Sequence, residues 1–425
     1  MDLEKYIPFE TKKFRPHQKE AIETTIAAIE SGIETVLVNA PVGFGKSILG
    51  YCVAKYFEEK GDYSYIYTKT TFLQDQYLRD FKDLKTAMGR GNFDCLTTPG
   101  ETCSFGKCKT INKYSCPIGA TIDGEGINLK PIESPFTENC LYWQQKYDAV
   151  NNPISILNYP YMIVDNMYLN HFPKRKIGIY DEGHGLESSL MSAFEVQLSD
   201  YQISYDLGTT LEIKHNIEDW VGELTKLSAM YGNLAKETED IHKKDRFESR
   251  EEALGSCAEF LEEDPNNWVF NINEKKEGDR VITTVTFKPI EIQEYTDVLF
   301  SKTEHKVIMS GSVLKPDIFI NELGLDYDNF KYIEVPSIVP VSQRPIIRDY
   351  VGSMSRRNID STMPLLVAKI KEIADRHLEE KGIIHTFTYG VNYKLFFLFY
   401  IQKYTLSSFS YVSAFSKQKA IFFTF

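Results

Sequence analysis

The sequence predicts an α/β fold: a parallel sheet with helices on both faces, broken by two long insertions and followed by a second, incomplete unit. Three observations predict it. Short apolar runs rich in β-branched residues alternate with stretches of helical spacing, the pattern of parallel strands joined by crossovers. The first run, residues 34–40 (ETVLVNA), leads into a glycine-rich loop and then a helix. A later run, residues 177–180 (IGIY), leads straight into Asp181-Glu182-Gly183-His184.

The other elements follow in order. Residues 47–60 have helical spacing ended by Gly61, residues 63–67 (YSYIY) read as a second strand, and residues 72–84 as a helix. Residues 306–309 (KVIM) supply a fourth strand after 177–180. The first insertion, residues 88–151, is rich in Cys, Gly, Thr and Pro and has little periodicity, so a stretch of this length needs a staple. The second, residues 201–265, is polar and carries Trp220, Leu224, Leu227, Met230 and Leu234 at helical intervals, which predicts a small helical subdomain. Residues 268–272 and 281–287 flank Gly278-Asp279 and read as a hairpin. The organisation is then a first α/β segment at 1–87, the cysteine insertion at 88–151, α/β again at 152–200, the helical insertion at 201–265, the end of the first domain at 266–339 and a partial second domain at 340–425. That last part offers a helix at 363–380 and a strand at 382–385.

Composition sets bounds. A chain of 425 residues with 42% hydrophobic and 25% charged residues is an ordinary globular protein of two or three domains. The formal charge of −12 argues against non-specific coating of nucleic acid, yet leaves room for a local basic channel. Residues 1–13 are charged and lack the apolar stretch of a secretory leader, and no run of about 20 apolar residues predicts a membrane span. Seven cysteines, an odd number without a leader, predict a reducing compartment, where clustered cysteines hold metal more often than they pair. A cytoplasmic setting is expected, nucleoid-associated or viral settings included. The oligomeric state is not legible.

Ala40-Pro41-Val42-Gly43-Phe44-Gly45-Lys46-Ser47 stands between a strand and a helix, the setting a phosphate-binding loop needs. Gly43 and Gly45 let backbone N–H groups close around phosphates at a helix N-terminus. Lys46 would pair with the β- and γ-phosphates and Ser47 would coordinate Mg2+, so ATP and Mg2+ are the expected cofactors. Asp181 would hold the metal through water, and Glu182 would position and polarise the attacking water. His184 would couple this site to the other half of the molecule. Alone, an acidic turn after a strand is a solvated turn; the upstream loop gives it meaning. Gln18, in Phe14-Arg15-Pro16-His17-Gln18, would read the adenine edge, although by itself it is a surface residue or a cap. Thr68, Thr70 and Gln74 sit at a strand end and a helix start, suited to gripping the phosphates of a nucleic-acid strand. Helix capping by threonine is the plain alternative. Ser310-Gly311-Ser312 after the fourth strand resembles a coupling turn.

Five of the seven cysteines, Cys95, Cys103, Cys108, Cys116 and Cys140, lie between the loop and the acidic box. Their spacing is irregular for a structural zinc module. Short spacings supply paired thiolates and a distant cysteine closes the site. Cys140 begins a helical, aromatic stretch suited to a last ligand. The preferred set is Cys95, Cys103, Cys108 and Cys140, with Cys116 spare; the exchange of Cys108 for Cys116 stays open. Cys52 and Cys257 read as core residues.

Together these residues resemble the iron–sulfur superfamily 2 DNA helicases, the DinG/XPD-like group. The resemblance rests on RPHQ (15–18), APVGFGKS (40–47), TKTTFLQDQ (68–76), GRGNFDC (89–95) and CLYWQQK (140–146). It continues through LNYPYM (157–162), DEGH (181–184), MSGSVL (309–314) and RPI (344–346), covering about residues 10–389. It implies a RecA-like motor domain with an iron–sulfur insertion, a helical arch insertion and a second RecA-like domain. It also implies a 4Fe-4S cluster, ATP hydrolysis, and 5′-to-3′ translocation on single-stranded or forked DNA.

The chain departs from that group near its end. Residues 386–425 contain no Asp, Glu or Arg but nine Phe and five Tyr, and the last arginine is Arg376. A change of reading frame near residue 386 is the expectation, with a β-rich tail as its rival. An arginine reaching the γ-phosphate is worth a rate factor of roughly 10³ or more. The expected function is therefore an ATP-dependent DNA helicase impaired in its second domain, and the alternative is a non-catalytic ATP- and DNA-binding remnant or regulator.

Overall fold

Apolar runs without alternation mark strands covered on both faces, and a computed structural model of the chain bears this out. It describes residues 2–9, 13–111, 114–123, 126–132, 136, 138–278, 280–313, 315–343, 345–355, 357–377, 381–385 and 420–424. Two units are distinguished, residues 1–338 and 339–425.

In the first unit, α1 (Gln18–Glu30) buries Ala21, Ile22, Ile26 and Ile29 and leads to β1 (Thr35–Asn39), the glycine-rich loop and α2 (Lys46–Glu59). Next come β2 (Ser64–Thr68), α3 (Thr71–Asp80) and the short β3 (Lys85–Thr86). Helix α3 ends at Asp80 and not at 84, because Phe81 turns extended and stacks on Tyr51 with ring centroids 4.2 Å apart. The cysteine-bearing stretch has little regular structure: α4 (Lys107–Thr110) and a hairpin of β4 (Ala120–Asp123) with β5 (Gly126–Leu129). It closes with α5 (Leu141–Asn151), whose N-cap is Cys140.

The chain then re-enters the sheet as β6 (Ile154–Asn158), turns through α6 (Tyr159–Val164), and returns as β7 (Arg175–Asp181) before α7 (Leu186–Phe194). A second layer follows: β8 (Val196–Ser199), α8 (Asp200–Leu207) and the long pair α9 (Ile217–Glu237) and α10 (Ile241–Glu263). Hairpin β9 (Trp268–Glu277) and β10 (Arg280–Pro289) turns at Gly278, where φ is +64°, and joins β8 in a three-stranded antiparallel sheet. Trp220 of α9 is fully buried against this hairpin, its ring 5.9 Å from Phe270 and 5.1 Å from Phe287. The unit ends with α11 (Asp297–Phe300), β11 (Thr303–Ser310), α12 (Pro316–Glu322) and β12 (Phe330–Glu334).

Seven strands make the main sheet in the order β12-β1-β11-β7-β2-β6-β3, every pair parallel. The register sets Asn39 beside Ser310 and Met309 beside Asp181, so the loop, the SGS turn and the acidic box leave the sheet at one edge. Ligands of open parallel sheets bind outside the carboxyl ends of the strands. Four strands were expected; β3, β6 and β12 are additional. β6 hides in sequence as five residues after Asn-Asn-Pro, and β12 (FKYIE) is half exposed and charged, like a surface loop.

In the second unit, α13 (Ile359–Arg376) starts four residues before the expected 363 and ends before 380, and β13 (Lys381–His385) pairs antiparallel with β14 (Ala420–Thr424). The rest of the compositionally unusual tail, residues 386–419 and 425, lies outside the described residues. Among the described residues, no helix is long and apolar enough to cross a membrane.

Candidate nucleotide and metal sites

The glycine-rich loop takes its shape from two left-handed glycines, Gly43 at φ +83° and Gly45 at φ +89°. Gly45 is required twice over: a Cβ there would also lie 2.5 Å from Gln18 Nε2. Ala40 is buried and its N–H donates to Ser310 O at 2.8 Å, while Phe44 is a core residue, so these two members shape the loop from behind. Pro41, Val42, Gly43, Gly45, Lys46 and Ser47 line an open cleft of about 540 Å³ together with Asp181 and Glu182. The loop, expected from sequence to hold phosphates, and the box, expected to hold metal and water, thus share one cavity. The N-terminus of α2 faces it, and the partial positive charge of that end favours an anion.

Asp181 is anchored through both carboxylate oxygens and its carbonyl. Its Oδ1 accepts the Glu182 N–H at 2.9 Å, its Oδ2 accepts the Tyr77 hydroxyl at 2.9 Å, and its carbonyl accepts the Tyr159 hydroxyl at 2.6 Å. Burial pushes the Asp181 carboxyl above its ordinary value, with Glu182 adding to this and the Tyr77 hydrogen bond and the Lys46 charge opposing it. Asp181 and Ser47 offer hard oxygen donors on either side of the cleft, a donor set that suits Mg2+. Glu182 sits at φ +55°, a conformation uncommon outside glycine and typical of functional turns. His184 Nδ1 lies 3.2 Å from Glu182 Oε2 and 3.3 Å from Ser310 Oγ, bridging the ends of β7 and β11. Gly311 faces the loop, its Cβ position 3.5 Å from Lys46 Nζ.

Gln18 is buried at the back of the loop. Its Nε2 donates to Phe44 O at 2.6 Å and Gly45 O at 3.3 Å, and its Oε1 accepts the Arg15 N–H at 2.7 Å. Arg15 also donates to Gly43 O. Both ends of the Gln18 amide are therefore engaged with chain neighbours of the phosphate loop, and an adenine contact by Gln18 requires sharing them.

Of the three residues expected to grip a strand, the structure buries two. Thr68 is fully buried, and so is Gln74, whose Nε2 donates to Thr86 Oγ1, Ala87 O and Ile156 O and whose Oε1 accepts from Asn158 Nδ2. An amide used in this way fastens α3 to β3 and β6 and presents nothing to a nucleic acid. Of the three, Thr70 alone is exposed, and its hydroxyl caps α3 by accepting the Leu73 N–H. The plain capping alternative describes Thr70.

The five cysteines of the insertion share one core cluster, with Cys140 capping α5. Cys95, Cys103, Cys116 and Cys140 are buried, and Cys108 is half-buried against the same core. Cys103 and Cys140 are closest, Sγ to Sγ 3.8 Å. The hydrogen bond shared with Cys103 holds the Cys140 thiol below its ordinary value, helped by the amides of Trp143 and Tyr142 at the start of α5 and by Arg90, while the same contact and burial push Cys103 up. Arg90 donates to Cys108 Sγ at 3.5 Å and lies over the Tyr142 ring at 4.5 Å. Burial pushes the Cys116 thiol up, opposed by the Ile118 amide, with the nearby Cys108, Cys140 and Cys95 adding to the rise. Among the described residues, no three His, Cys, Asp or Glu side chains converge as a metal-ion site. The segment also touches α10: Lys109 pairs with Asp245 at 2.8 Å and His242 with Glu101 at 3.1 Å.

Several residues around these sites escape sequence reading. Tyr77 lies just past TKTTFLQDQ and Tyr159 within LNYPYM, but neither pattern shows which acceptor the hydroxyl meets. Lys146, fully buried, pairs with Asp165 at 2.7 Å and lies 2.6 Å from His171 Nδ1, joining α5 to the turn after α6. A lysine, an aspartate and a histidine 19 and six residues apart give no periodic signal.

Residues 11–189, from just ahead of the RPHQ motif to just past the acidic box, match the family model described as Type III restriction enzyme, res subunit. No curated protein matches the chain. Among solved structures, S. tokodaii Xpd4 is similar with a TM-score of 0.44 and 16% identity, over 85% of this chain and 69% of that one. The Sulfolobus solfataricus SWI2/SNF2 ATPase core in complex with dsDNA aligns with a TM-score of 0.25 and 12% identity, over 43% and 28%. The ATP-dependent Type ISP restriction-modification enzyme LlaBIII bound to DNA aligns with a TM-score of 0.25 and 17% identity, over 41% and 10%.

Proposed function

We propose that this chain is a helicase-type ATPase acting on DNA. One observation carries the reading: Lys46, Ser47, Asp181 and Glu182 line a single cleft at the carboxyl edge of a parallel sheet, with His184 linking Glu182 to Ser310. The family match over residues 11–189 supports it. In this reading the loop amides and Lys46 bind the β- and γ-phosphates of ATP. Glu182 orients the attacking water and draws its proton, and His184 relays the state of the site to the turn after β11. When bound, Mg2+ would offset charge on the phosphates between Ser47 and Asp181.

The finer reading adds 5′-to-3′ translocation on single-stranded or forked DNA. It also adds a 4Fe-4S cluster on Cys95, Cys103, Cys140 and either Cys108 or Cys116. Such a cluster would cross-link a segment that has little regular structure of its own.

A second reading has its own observation: residues 386–425 contain no Asp, Glu or Arg, unlike the charged sequence before them. The chain then binds ATP and DNA with little turnover. ATP hydrolysis by anaerobically purified protein, with and without single-stranded DNA, tests both. DNA-stimulated hydrolysis that Lys46→Ala abolishes supports the motor; ATP binding without turnover supports the second reading; absence of ATP binding sinks both.

A further inference from the structure

Asp181 is fixed by more than its place at the end of β7. Its two carboxylate oxygens are held from different elements, Oδ1 by the amide of Glu182 and Oδ2 by the hydroxyl of Tyr77 in the second turn of α3. Tyr77 is 2% exposed, yet its ring lines the nucleotide cleft beside Asp181, Gln76 and Asp80. A buried tyrosine hydroxyl takes some acceptor in any fold, and the backbone offers many. Here it has taken the carboxylate read as holding the metal. With both oxygens held, the carboxylate plane cannot turn, and each oxygen keeps a remaining lone pair for the cleft.

The helix that delivers Tyr77 is itself immobilised. Gln74, one turn earlier, is tied to Thr86, Ala87, Ile156 and Asn158. Phe81, one turn later, stacks on Tyr51 of α2, the helix that starts at Lys46. We infer that Tyr77 is a positioning residue for the metal-binding carboxylate: α3 carries its hydroxyl to Asp181 Oδ2, fixes the carboxylate toward Mg2+, and makes metal binding sensitive to the placement of α3. The inference rests on the ATPase reading and deepens it.

Outer partners of metal ligands typically contribute about tenfold or more to metal affinity. The test is binding of a fluorescent ATP analogue to the full chain, titrated with Mg2+ and repeated in EDTA. Tyr77→Phe should raise the half-saturating Mg2+ concentration about tenfold and leave nucleotide affinity in EDTA at the wild-type value, which also shows that the variant folds. Tyr159→Phe, which removes a hydroxyl from the Asp181 backbone carbonyl and not from its carboxylate, should keep the wild-type Mg2+ curve. In an Asp181→Ala background, Tyr77→Phe should change nothing further. A wild-type Mg2+ curve for Tyr77→Phe, or equal shifts for both tyrosine variants, overturns the inference while leaving the ATPase reading intact. Failure of the wild-type protein to bind the analogue with Mg2+, or binding unaffected by Lys46→Ala, overturns both.

Discussion

Glu182 and Gly45 show what single residues decide. Glu182 reaches the cleft from a left-handed backbone that only its neighbours sustain, since its N–H is held by Asp181 Oδ1 and its carboxylate by His184. Glu182→Gln keeps the shape and the phosphate contacts but removes the proton acceptor. ATP binding should persist while turnover falls by about 10²- to 10⁴-fold, the usual worth of a positioned base; single-turnover hydrolysis measures it. Gly45→Ala meets both an unfavourable φ and the Gln18 amide. It should cost about 1–3 kcal/mol of stability and abolish nucleotide binding, read by urea denaturation and by analogue binding. The glycines and Lys46 were legible because a phosphate loop has one local solution. Tyr77 was not, because nothing in Asp-Gln-Tyr-Leu tells which of several buried acceptors a hydroxyl will meet.

Elements are joined by contacts that no local pattern announces. Helix α5 is anchored to the turn after α6 by the buried Lys146–Asp165 pair, with His171 alongside. Lys146→Met removes the cation paired with a buried carboxylate, leaving only His171 to it, and should destabilise the protein by about 3–5 kcal/mol, seen as a fall in the urea midpoint at constant slope. Lys146→Met with Asp165→Leu should recover much of that loss. The pair also fixes a pH dependence. Burial pushes the Asp165 carboxyl up, but His171 and Lys146 together pull it below its ordinary value. A depressed carboxyl stabilises fully above its unfolded value of about 3.9 and loses this contribution as pH falls through the lower folded value. Asp165→Asn should therefore flatten the acid limb of stability below about pH 4, as urea midpoints across pH would show. Helix α9 was readable because Trp220, Leu224 and Leu227 repeat at helical spacing and are buried. Strands β6 and β12 were not, one too short and the other too polar to stand out from loop.

At the scale of the molecule, the cysteine segment and the nucleotide cleft are the two centres to be joined. If the thiols hold a cluster, anaerobically purified protein should contain about four iron atoms per chain and absorb in the visible. Cys140→Ser should lose both iron and colour. Cys108→Ser and Cys116→Ser should separate the open choice, the spare cysteine being the one whose loss leaves iron content unchanged. Colourless, iron-free protein would remove the cluster while leaving the ATPase reading to the cleft.

By itself the sequence determined the alternation of strand and helix, the phosphate loop, the acidic box, the helical insertion and the clustering of thiols. Each is a short-range pattern whose meaning is carried by neighbours in the chain. Only the tertiary structure decided the strand order that sets Asn39, Ser310 and Asp181 at one edge, the retirement of Thr68 and Gln74 into the interior, and the tyrosine that holds Asp181. The physical reason is the same in each case. Burial and hydrogen-bond partners depend on which segments pack together, and segments 104 residues apart, as Tyr77 and Asp181 are, or farther, as Asn39 and Ser310 are, leave no trace of that in local spacing.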